Sequence, residues 1–238
     1  MTRLQSLVIT QLLVLPGVAT ASLVGLNLEQ HAVDGNGIAT LNGTTTWRLY
    51  AEFDDPSDQL TSVGGANPTV GAIISSGGFY QNAIGGQMSS QINQGFVPFE
   101  PEIEYDSWVT IGAEWASESA TLTSTGINWS DFNSGNDLFI AAGEWNRPVG
   151  DLHAFGQIMP GMANYQILVG QFTTFGSGPT SAPWGQLNLS GYSSAFGLNG
   201  ELVPWSVDNV SFGTPVPAPS AIALLGISAL AGGRRRRR

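Results

Sequence analysis

The residues able to do chemistry in this chain are carboxylates and aromatic rings. Asp54-Asp55-Pro56-Ser57-Asp58 places three carboxylates within five residues. Such an oxygen-rich loop suits Ca²⁺, and the same pattern also makes an ordinary Asx/Pro turn. In the stretch 131–137, Asp131, Asn133 and Asp137 fall at i, i+2 and i+6, like the first half of a Ca²⁺ loop. Ala142 stands where the twelfth-position Glu would be and Gly135 comes one place early, so the stretch is not an EF-hand. Ca²⁺ is the one cofactor the sequence admits, and no cofactor is required.

Glu100, Glu102, Glu104 and Asp106 alternate with other residues. In an extended chain the four carboxylates share one face, i to i+2 being roughly 7 Å apart. They would lie side by side, whereas a glycosidase opposes two carboxylates across the sugar. A solvated edge strand is the expectation. Trp184 follows Pro183 and Trp205 follows Pro204, so both sit near turns where an indole face could stack on a sugar ring. The only histidines are His31 and His153, too few for a histidine zinc site without carboxylate help. G-x-S-x-G is absent, and nothing in the pattern would hold a Ser-His-Asp triad. The expectation is a protein that is not an enzyme.

Composition narrows the partners. The chain has no Lys and no Cys. Absent cysteines remove disulfides, thiolate zinc sites and Cys nucleophiles. Arg3 opens the chain and Arg234–Arg238 close it, so residues 22–213 keep Arg48 and Arg147 against 18 Asp and Glu, a formal charge of −16. A domain this acidic repels nucleic acid, which is therefore not an expected partner.

The elements that must carry these residues are strands. In 46–53, Trp47, Leu49, Ala51 and Phe53 share one face while Arg48, Tyr50 and Glu52 share the other. In 108–115, Val109, Ile111, Ala113 and Trp115 alternate with Trp108, Thr110, Gly112 and Glu114. Residues 138–142 read as a buried strand, and 166–173, 185–189 and 203–212 as three more. Weaker candidates are 37–41, 70–74 and 120–123. Turn signals separate them at 34–37, 42–43, 64–65, 77–78, 134–137, 176–179 and 199–200. About nine short strands without a good helical window predict an all-β domain over 22–213, a single antiparallel β-sandwich of jelly-roll-like form. The unpatterned stretches 79–98 and 153–164 read as long loops, where function concentrates. Glu52-Phe53, Glu114-Trp115 and Glu144-Trp145 repeat a Glu-aromatic pair at unequal spacing, which reads as strand alternation.

Both ends read as addresses. Residues 1–21 combine Arg3, an apolar run over 7–15 and Ala19-Thr20-Ala21, an A-x-A site that predicts signal-peptidase cleavage between Ala21 and Ser22. In the tail, 214–238, a Pro-rich motif over 215–220 contains Val216-Pro217-Ala218-Pro219-Ser220. An apolar helix is expected over 221–233, followed by Arg234, Arg235, Arg236, Arg237 and Arg238. An apolar stretch of this length spans a bilayer poorly, and a terminal Arg cluster favours the cytoplasmic side. The order of parts resembles the PEP-CTERM sorting signal, with Ala218 standing where that motif carries Glu. The resemblance covers about 215–238. It implies processing by an exosortase-type enzyme of a Gram-negative bacterium that makes exopolysaccharide, and transient anchoring in the inner membrane. The stretches 46–56 and 105–112 also look like a group of uncharacterised secreted bacterial proteins with sorting or docking tails.

The expectation drawn from the whole chain is an exported cell-surface or exopolysaccharide-matrix protein with a structural or adhesive role. A carbohydrate-binding module is the alternative, and a secreted hydrolase the remoter one.

Overall fold

A computed structural model describes residues 23–65, 70–158, 163–194 and 201–214. The signal-peptide residues, with Ala19, Ala21 and Ser22, and the tail residues 215–238 lie outside the described residues. Among the described residues no helix is long and apolar enough to cross a membrane.

The fold is all-β, with two antiparallel sheets. The first contains β1 (Leu23–Val33), β2 (Thr44–Phe53), β10 (Tyr165–Phe175) and β5 (Trp108–Val109) in that order, with the short β9 (Gln157–Ile158) also on β10. The second contains β6 (Thr123–Thr125), β8 (Gly143–Asn146), β3 (Gln59–Gly65), β11 (Trp184–Ser193), β4 (Gly71–Ile74) and β7 (Leu138–Ile140), with β12 (Val203–Phe212) also on β11. β3 and β4 pair with successive parts of β11, so they lie end to end along one side of it.

The alternation expected for 46–53 is what the structure uses. Leu49, Ala51 and Phe53 are fully buried in a core shared with Val63, Leu187, Leu189 and Trp145 of the other sheet. Arg48, Tyr50 and Glu52 point the opposite way. Full burial of each large apolar side chain is worth about 1.5–3 kcal/mol, and Phe79, Phe132 and Phe172 add tilted and edge contacts at 5.5–6.4 Å between ring centroids. Trp145 is fully buried, and its indole N–H donates to the Thr110 carbonyl at 2.8 Å.

The outer face of the first sheet is not simply solvent-facing. Loops rich in 3-10 turns fold over part of it, and Ile92, Ile103 and Trp108 form a second cluster there with Tyr50 and Leu168. Those loops overturn one expectation. Residues 100–106 are not an extended edge strand but a 3-10 segment, Pro101–Tyr105, starting at a proline. Ile103 and Tyr105 are buried against the rest of the fold, and the 3-10 backbone takes the place of an extended pleat. Asp106 is fully buried as well, so the four carboxylates never share a face.

Other sequence expectations shift at their edges. The strand expected over 108–115 ends at Val109, because Gly112 takes φ +73 and turns the chain away. Residues 37–41 form 3-10 turns rather than a strand. The strand expected over 138–142 stops at Ile140, and Phe139 is 56% exposed within it.

Candidate functional site

A groove with a cavity volume of about 360 Å³ opens on the outer face of the first sheet, where the covering loops leave it bare. Its floor is Tyr50 of β2 with Gln166 and Leu168 of β10. Its walls are Gly112 and Glu114 on one side, and Leu152, His153, Phe155 and Gln157 on the other. The sheet fixes the floor: Gln166 pairs with Glu52 and Leu168 with Tyr50 across β2–β10. The turn at Gly112 fixes one wall. A Cβ there would strike the carbonyl of His153, so the two walls approach through a residue that only glycine can be.

Two polar networks flank the floor. Arg48 forms a two-pronged ion pair, Nη1 and Nη2 donating to Glu114 Oε1 and Oε2 at 2.7 and 3.0 Å. Its Nε donates to Gln171 Oε1 at 3.1 Å. Further along the face, Asn27 Nδ2 donates to Glu29 Oε1 at 2.9 Å and to Glu52 Oε1 at 3.0 Å. Gln166 Nε2 donates to the same two oxygens, each at 3.0 Å. Two amides thus hold two carboxylates side by side. His31 adjoins the Arg48–Glu114 pair; desolvation against the sheet and the nearby guanidinium hold it below the usual histidine range, with Glu114 acting the other way. Burial pushes the Tyr50 phenol above its ordinary range, against the pull of the neighbouring Arg48 guanidinium.

The residues singled out from the sequence fall elsewhere. Asp54 is exposed, Asp55 half-buried and Asp58 buried. Asp55 Oδ1 accepts from the Ser57 N–H at 2.8 Å and its hydroxyl at 2.7 Å. Those donors hold the Asp55 carboxyl below the ordinary range. This is the geometry of an Asx turn. Asp131 and Asn133 are exposed on a single α-helical turn, α1 (Ser130–Asn133), while Asp137 Oδ1 accepts from the Ser75 N–H at 2.9 Å. Among the described residues no three His, Asp or Glu side chains are grouped to hold a metal ion.

The two tryptophans part company. Trp184 is half-buried beside a hollow of about 350 Å³ lined by Ala72, Ile74, Phe212 and Gly213. Trp205 is only 6% exposed and packs on Phe53 with ring centroids 5.7 Å apart. Its face is spent on the core, so the proline before it did not mark an exposed turn.

No strand is read over β1 in the sequence, so nothing there places Asn27, Glu29 and His31 on the sheet; register shifts after Leu23 and after Gln30 interrupt the pairing near both ends of the strand. The Glu-aromatic pairs were a partial signal: Glu52 and Glu114 do reach the same sheet face.

Comparison with family models, with curated proteins and with solved structures finds no match to the chain.

Proposed function

We propose that this chain is an exported cell-surface or exopolysaccharide-matrix component of a Gram-negative bacterium, acting by adhesion rather than catalysis. On this reading, signal peptidase cuts before Ser22 and the 214–238 tail holds the chain transiently in the inner membrane. An exosortase-type enzyme, of the kind that processes PEP-CTERM signals, then releases it. The domain is read as jelly-roll-like, since the chain passes repeatedly between the two sheets.

The observation that carries the adhesive role is the groove. Its lining combines the half-buried Phe155 with Gln157, Gln166, His153 and Glu114, a mix that suits a sugar, whose C–H face packs on a ring while its hydroxyls seek hydrogen bonds. Binding is favoured over hydrolysis because Glu29 and Glu52 are fastened side by side by the same two amides. A glycosidase needs its two carboxyls opposed across the scissile bond.

The test is fractionation of producing cells with mass spectrometry of the mature chain. The expected species begins at Ser22, lacks the Arg cluster and is recovered from the surface or matrix. A chain that retains Met1–Ala21 and stays in the cytoplasm would overturn the proposal.

A further inference from the structure

We infer that the groove is selective for glycan units that carry no acidic group, and that charge enforces the selection. The inference rests on the carbohydrate reading above and specifies its ligand class. Acidic sugars are commonly held by arginine, which matches a carboxylate or sulfate with paired N–H donors. The groove has one arginine beside it, and its charge is already paired: Arg48 Nη1 and Nη2 both donate to Glu114, and Nε donates to Gln171. The bidentate carboxylate of Glu114 occupies the position that an acidic ligand would need.

The remaining charges act in the same direction. Among the described residues Glu29 and Glu52 receive amide donors but no cation. With Glu114 balanced by Arg48, the face is left with two uncompensated carboxylates next to the groove. The surrounding field does not rescue an anion, since Arg48 and Arg147 are the only strong bases in residues 22–213 and Arg147 is buried against Asp151. What lines the groove suits neutral hydroxyls: the exposed Gln157, with the half-buried His153 and Phe155 beside it. Non-acidic glycans fit this lining, and uronates and sulfated sugars meet repulsion.

The experiment is a binding panel on the full secreted chain, using neutral, free-amino, uronate and sulfated oligosaccharides of matched length at low and high salt. Neutral or amino oligosaccharides are expected to bind at least tenfold more tightly than uronates at low salt. The gap should narrow as salt shortens the Debye length to about 10 Å at 0.1 M and below it beyond that. Glu114→Gln frees Arg48, so the ratio of neutral to uronate affinity should fall in that variant. Uronate or sulfated sugars binding as well as neutral ones in the wild type would overturn the selectivity while leaving the carbohydrate reading standing. Binding to no member of the panel would overturn the carbohydrate reading, and the selectivity with it.

Discussion

Asp106 ties the loop at Asn82–Gly86 to the start of β5. It ends an acidic run, yet it is fully buried and its carboxylate gathers a loop. Oδ1 accepts from the N–H groups of Asn82 and Ser107 at 2.7 and 2.9 Å, and Oδ2 from Gly86 at 3.0 Å. Burial pushes the carboxyl up to about 7, against the pull of those three donors. Removing the carboxylate strands two buried donors and a half-buried one, so Asp106→Ala should cost about 2–4 kcal/mol in chemical denaturation. The pH dependence has a definite sign. A raised native pKa means that the group's contribution is fully present below the unfolded value near 3.8 and is lost as pH rises toward about 7. Urea melts of wild type and Asp106→Asn between pH 4 and pH 8 should therefore diverge, with the wild type showing the extra fall. Parallel curves would show that Asp106 is already ionised across that range.

Among the elements, β11 is the hub of the second sheet, pairing with β3, β4 and β12. Its glycines are there for close approach. A Cβ at Gly191 would collide with the Gln59 carbonyl and crowd the Trp205 ring. Gly191→Ala should cost roughly 1–3 kcal/mol by overpacking, seen as a lower melting temperature. The same logic explains why β3 was illegible in the sequence. Gly64-Gly65 reads as a turn, but both residues are strand, because a side chain at Gly64 would strike the Gly143 carbonyl on β8. Where side chains alternate cleanly, as in Trp47–Phe53, the inner and outer faces could be assigned from residue types alone. Where bulges intervene, as around Gln30–Ala32, period two is lost and β1 vanished from view. The groove was legible only in parts, because it is assembled from β2, β10 and two loops far apart in sequence. Alternation could place Tyr50 and Glu52 on a common face, but could not say that Gln166 and His153 meet them there.

At the scale of the whole molecule, charge and size set the behaviour. Residues 22–213 carry a formal −16, and self-repulsion of that magnitude weakens the compact state. Moderate NaCl should raise the melting temperature by a few degrees through screening, whereas an unchanged value would mean that the carboxylates are already well spaced. On the proposed function, the chain holds to polysaccharide through the groove on the first sheet. The most direct measurement is co-sedimentation of the secreted chain with polysaccharide extracted from the producing cells, comparing wild type with Leu152→Ala/Gln157→Ala. Leu152 is 81% exposed and Gln157 is also exposed, so both can be cut back with little effect on folding, checked by an unchanged melting temperature. The account predicts that wild type pellets with the polysaccharide and that the double variant loses at least about fivefold in affinity, roughly 1 kcal/mol by RT ln 5. Equal retention of the two proteins, or no retention of either, would contradict it.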